Sequence, residues 1–172
     1  TMQERSPALD RLVLALSRFG QLGGLALTTS ASNDAYPDTN TWDFSHLTFT
    51  STVLEVQAVE LQDRNQQPFQ TPNPTQAAAF QAVNPSGSIP FVDIANRFNG
   101  GLSAGYGPEL LQGLTWDQIA QKLGNPSDPV TKGMVGHANR ITAGICAVTQ
   151  NLPARVCGAP PLPHLIGDLP SS

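Results

Sequence analysis

The chain has 172 residues, enough for one domain with a substantial core. Charged residues make up only 13% of it, against roughly 25% in an ordinary domain, the net charge is −4, and Lys122 and Lys132 are its lysines. That balance argues against nucleic-acid binding and against electrostatic docking on a membrane, because no basic stripe is present to meet phosphates or anionic headgroups.

Residues 6–19 read as a helix. Ser6 suits the N-cap, Pro7 the first helical position, and Leu9, Leu12, Val13, Leu16 and Phe19 fall on one face, with Gly20 as the stop. The longest apolar run, Leu12 to Leu16, is far shorter than the roughly 20 residues of a membrane-spanning helix. Thr1 to Gly20 carries acids, a proline and arginines, so it does not read as a signal peptide. A targeting or anchoring segment removed ahead of Thr1 is compatible with that pattern.

Leu25 to Ser30 is short and apolar after Gly23-Gly24 and predicts a buried strand. Residues 31–46, rich in Asn, Asp and Pro, predict a loop. Asp34, Asp38 and Asp43 lie close together in that loop, but their spacing is not that of a calcium loop, and they read as turn caps. Period-two alternation predicts strands over 47–52 and 53–61, followed by a polar connection.

The alanine-rich stretch Gln76–Val83 predicts a helix that must end before Pro85. Then comes the stretch on which the reading turns, Gly87-Ser88-Ile89-Pro90-Phe91-Val92-Asp93-Ile94. Proline donates no backbone hydrogen bond and is tolerated at a strand's first residue, so Pro90 reads either as an ordinary trans residue or as a cis-proline turn ahead of a strand over 89–97. Asn99-Gly100-Gly101 predicts the hairpin turn, with Leu102–Tyr106 returning. Pro108–Leu111 predicts one helical turn, Thr115–Leu123 a short amphipathic helix, and 128–149 the longest helix, with Asp128 as its cap and Pro129 as its start. From Pro153 onward the proline-rich tail predicts extended chain. The element order predicts an α/β sandwich with a mixed sheet.

Cys146 and Cys157 have no second pair or histidine cluster to make a zinc site, and they suit a local disulfide that implies an oxidising compartment. A redox-active thiol needs a lowered pKa and a resolving partner. Cys146 sits late in a helix, where the dipole disfavours a thiolate, so a structural role is expected. If either exchanges, Cys157 is the more accessible. Other chemistry finds no purchase. Gly87-Ser88 lacks the glycine of a nucleophile elbow. Gly100, Gly101, Gly105 and Gly107 lack the context and lysine of a phosphate loop. His46, His137 and His164 are scattered, and Thr1 is a nucleophile only if it is a true N-terminus. No catalytic residue, metal ligand or cofactor is assigned.

Several blocks together resemble a known family: Leu14–Gly20, Ser32-Asn33-Asp34 with Tyr36–Thr39, Glu60 with Asp63-Arg64-Asn65, Gly87–Asn96, Ala138–Cys146 and Pro153–Cys157. Over about residues 12–157 the chain resembles an uncharacterised thioredoxin-like family of archaeal and bacterial envelope proteins, a domain of unknown function. The resemblance implies a single thioredoxin-like domain over 1–157 with an extended tail over 158–172, a location outside the cytoplasm, and often a membrane anchor. It also implies a Cys-x-x-C motif ahead of the first helix. Met2-Gln3-Glu4-Arg5 stand at those positions without cysteine, and the strand that should precede them is missing. That strand lies inside the sheet in such a fold, so its loss should leave unpaired backbone beside Leu25–Ser30, to be filled by a longer chain or by another polypeptide; a divergent sheet is the third alternative.

The expectation is therefore a non-catalytic protein-binding or assembly subunit. Its peptide-contact surface is expected around Asn33, Tyr36, Trp42, Ile89, Pro90 and Phe91, it has a protein partner that supplies the missing strand, and any membrane association runs through that partner or a removed anchor. The alternative is a fragment or variant of a membrane-anchored thiol–disulfide oxidoreductase.

Overall fold

Helix α1 (Asp10–Leu16) lies against the long helix α4 (Pro129–Val148), and this pair is the base of the molecule. The computed structural model describes residues 9–63, 67–87, 89–101 and 107–170. The helix start expected at Ser6 and Pro7, and the sites at Met2–Arg5, fall outside the described residues. The apolar spacing of α1 does what it predicts: Leu9, Val13 and Leu16 are buried, and Phe19, in the turn after the helix, is buried with them. Arg18 Nη1 donates to Thr142 Oγ1 at 2.9 Å, tying the end of α1 to the middle of α4. Among the described residues no helix is long and apolar enough to cross a membrane.

After α1 the chain forms a bent two-stranded ribbon. Strand β1 (Gln21–Gly23) pairs antiparallel with β4 (Thr48–Thr50), and β2 (Ala26–Thr29) pairs antiparallel with β3 (Asn40–Asp43). Between the two ladders Gly24 and Leu25 face the longer stretch Phe44–Leu47, so the register shifts and the ribbon bends, as at a bulge. Gly24 has φ +71, and a Cβ there would meet the His46 carbonyl oxygen, so the bend requires glycine. Two expectations are corrected here. The loop over 31–46 contains β3, and the strand over 25–30 is largely exposed, with Leu27 57% accessible. Strand β2 has one neighbour, β3, and no helix covers its outer face; a buried strand needs cover on both sides.

The segment 53–61 forms no strand. Helix α2 (Pro74–Val83) is capped by a reciprocal pair, Asn73 with Gln76, and buries no side chain fully. The Ile89–Pro90 peptide is cis. Strand β5 (Phe91–Ile94) follows and pairs antiparallel with β6 (Phe98–Gly101). The hairpin turn lies earlier than expected. Ala95 and Asn96 both have positive φ, and Arg97 N–H donates to the Ile94 carbonyl at 3.1 Å, so Asn99, Gly100 and Gly101 belong to β6. Asparagine is one of the few residues that accepts this conformation readily. The return strand over 102–106 falls outside the described residues. The described pairings are all antiparallel, three separate two-stranded sheets and one isolated bridge between Gln62 and Pro68, so the described residues are mixed α/β without the expected mixed sheet.

A 3-10 turn (Pro108–Leu111) leads to α3 (Trp116–Leu123), capped reciprocally by Thr115 and Gln118. Leu111 and Ile119 pack with Val130 and Met134 of α4. The Trp116 ring lies 5.6 Å from that of Trp42, which brings β3 to α3. Asp128 caps α4 through Val130 N–H at 2.8 Å. The tail is not extended. Helices α5 (Ala154–Cys157) and α6 (Leu162–Gly167) fold back, and α6 packs on α4 with Leu162 buried. Proline is tolerated in the first turn of a helix, so proline content did not forbid these two. Cys146 and Cys157 form a disulfide that pins α5 to α4.

Two consequences can be measured. Reducing the disulfide frees the α5–α6 tail, and the chain-entropy relation gives a loss of about 3 kcal/mol for a loop of this size; thermal melts with and without reductant, and of Cys157→Ala, should show the drop. The second concerns Asp10, which is 2% exposed and accepts a 2.8 Å hydrogen bond from Thr41 Oγ1. Burial raises its pKa to about 8, against the partial opposition of its hydrogen bonds and of Arg11. A carboxyl whose folded pKa is raised contributes stability that is present below its unfolded pKa and lost as pH rises through the folded value. The protein should lose stability between about pH 4 and about pH 8, and Asp10→Asn should flatten that decline in denaturant titrations across the range.

Candidate functional site

An apolar groove of about 450 Å³ lies between residues 53–58 and β5. Its floor is Leu9, Leu12 and Leu16 of the α1 stretch with Ile141, Ile145 and Val148 of α4. A second groove, of about 480 Å³, opens on the α2 side and is lined by Gln76, Ala79 and Phe80. The two share Glu55, Gln57, Phe91, Asp93 and Ala95, so they are the two faces of one slot with a backbone along each side.

Side chains on both walls alternate. Leu54, Val56 and Ala58 line only the α1–α4 face, whereas Glu55 and Gln57 reach the α2 face, which Val59 also lines. On the opposite wall Val92 and Ile94 line only the α1–α4 face, and Phe91 and Asp93 reach the other. This is the period of two that a strand imposes. Segment 53–61 therefore has a strand's alternation without a strand's partner. Its start is held by Ser51 Oγ, which accepts from Val53 and Leu54 N–H, and its end by Glu60 and Leu61 against Gln70 and Phe69. Between these anchors Glu55 to Val59 make no backbone hydrogen bond to any described residue. The β5 strand has β6 on one side, and no described strand lies on the other.

The polar lining is acidic. Glu55 Oε1 accepts from Gln57 Nε2 at 2.9 Å, and Asp93 Oδ2 accepts from Asn96 N–H at 3.2 Å. Neither carboxylate has a cation within ion-pair distance among the described residues. Gln76 Nε2 donates to Gln57 Oε1 at 3.3 Å, and the Phe80 ring meets Phe91 edge-on at 5.4 Å, so α2 touches both walls.

Of the residues expected to form a peptide-contact surface, Phe91 lines the slot. Ile89 and Pro90 lead into it half-buried. Asn33 is exposed in the ribbon loop. Tyr36 is turned into that loop by backbone bonds with Ser30 and Asp34, and Trp42 is spent on Trp116. None of these three lines the slot. Unpaired backbone was expected beside Leu25–Ser30: that strand pairs with β3 on one edge and has no described strand on the other, and residues 55–59 likewise make no backbone hydrogen bond to any described residue. Sequence reasoning missed Glu55, Val56, Gln57 and Ala58 as lining. The signal was present in their alternation, which was read as an ordinary strand.

Asp34 and Asp43 act as turn caps, accepting from Tyr36 N–H and from Ser45. No described group of residues could hold a metal ion. His137 has its pKa lowered by burial and by Arg11 and Arg140. Cys157 is 2% exposed and Cys146 fully buried, which corrects the expectation that Cys157 is accessible: it closes the short helix α5 against the core rather than lying on a loop.

The slot depends on how closely β5 sits on α4. A Cβ at Gly144 would lie 3.0 Å from Ile94 Cδ1 and 3.6 Å from Phe98. Gly144→Ala should be nearly neutral, since Ile94 can yield and the helix gains up to about 1 kcal/mol in propensity. Gly144→Leu should lift the hairpin and cost about 1–3 kcal/mol, with faster amide exchange confined to β5 and β6. Equal exchange in both variants would show that the hairpin does not rest on this contact.

None of the protein-family models, curated proteins or solved structures compared with this chain matches it.

Proposed function

We propose that this chain is an extracytoplasmic, thioredoxin-like domain that serves as a non-catalytic protein-binding or assembly subunit. The observation that carries the reading is the open slot beside Phe91, bordered by backbone that has no partner among the described residues. An exposed backbone edge beside an apolar groove can take an added strand from another polypeptide. Thiol chemistry is disfavoured because both cysteines of the chain are joined to each other and buried. The disulfide is compatible with an oxidising compartment.

The test uses protein from its native source. Intact mass with alkylation should reveal no thiol until the disulfide is reduced under denaturing conditions. The protein should neither reduce nor oxidise a test disulfide, and should elute in a stoichiometric complex larger than the 18.2 kDa chain. Turnover of the test disulfide by extra alkylatable thiols would replace this reading with the oxidoreductase one.

A further inference from the structure

We infer that the slot between residues 55–59 and β5 accepts one inserted β-strand from a partner protein, alternately apolar and basic, which would join the 53–61 segment to the β5–β6 hairpin in a continuous sheet. The inference rests on the binding reading above and adds to it the mode, the place and the chemistry of the ligand.

Three observations converge. The first is hydrogen bonding: Glu55 to Val59 offer donors and acceptors that nothing described satisfies, along a segment whose two ends are fixed. Residues 55–58 are exposed, so water meets these groups in the free protein, and an added strand would pair them in register. The second is layering. The slot has helices on both faces, α1 with α4 below and α2 above, and α2 buries no side chain fully as it stands. A central strand between two helical layers is covered in the same way. The third is the contrast between the faces. Leu12, Ile141, Ile145 and Val56 make one face apolar. Glu55 and Asp93, one from each wall, bring to the other two carboxylates without cation partners among the described residues.

An inserted strand places successive side chains on opposite faces. Every second residue would enter the α1–α4 face and must be apolar. The residues between would face Glu55, Asp93 and Gln76, where lysine or arginine complements the charge. Thr1 to Ala8 carry few apolar residues and no alternation of apolar with basic ones, so the ligand is placed in another polypeptide.

The probe is a fluorescent peptide of about seven residues, alternating valine or isoleucine with lysine, titrated into the 172-residue protein. Saturable binding is expected, with slowed amide exchange at both 55–59 and Val92–Ile94. A peptide with glutamate in place of lysine should bind at least about tenfold more weakly, as should the first peptide to Glu55→Gln/Asp93→Asn. Adjacent residues in a strand direct their N–H groups to opposite edges. One of Gln57→Pro and Ala58→Pro should therefore weaken binding by about tenfold or more and the other less, and neither substitution removes a backbone hydrogen bond of the free protein. Circular dichroism of each variant checks that the fold is kept. No saturable binding, binding indifferent to lysine or glutamate, or protection elsewhere, such as along exposed β2, overturns the inference. A native complex that persists despite such a result would leave the binding function standing and remove only this slot from it.

Discussion

The packing of α1 on α4 is the constraint from which the remaining arrangement follows. Leu16, Phe19, Ile145 and Cys146 form its centre, and the ribbon, the β5–β6 hairpin, α3 and the tail are each tied to this pair. Asp10 holds the ribbon through Thr41 and the Trp42 backbone, Gly144 lets β5 approach, and the disulfide returns the tail to the same helix. Met134 and Val130 seat α3 farther along α4. Without the apolar seam between these two helices, three isolated two-stranded ladders would have nothing to rest on, and a lone hairpin is marginal in water.

Part of the cost of this plan falls on the buried Asp10 carboxyl and part on the backbone. Sheets satisfy peptide groups by pairing, and here the pairing is partial: each ladder has two strands and ends. The ribbon keeps its exposed strand β2 to four residues, with Thr28 and Thr29 beside the exposed Leu27. The segment 55–59 differs, because its alternation places Val56 and Ala58 over an apolar floor. Backbone without a partner among the described residues and an apolar floor occur together at one place, and that coincidence is what supports the proposed binding function. Electrostatics sharpen the selection. A protein poor in charge nevertheless sets Glu55 and Asp93 across from each other on the two walls.

Much of the local structure was determined by the sequence alone. Caps and stops placed the helices at Pro74–Val83, Trp116–Leu123 and Pro129–Val148 because Asn73, Thr115 and Asp128 act within a few residues of themselves. The cysteine pair was legible because its loop is short. Tertiary structure decided what pairs with what. Alternation in 53–61 announces a strand, yet a strand exists only beside a partner, and none of the described residues supplies one. The ribbon strand β3 was hidden in an Asn- and Asp-rich stretch because its support comes from Asp10 and Trp116, both distant in sequence. The tail read as extended because proline content is local information, whereas the burial of Leu162 and the tie to Cys146 are not. The slot is likewise a property of no single stretch: it is made by two backbones and three helices, and only their packing brings them to one place.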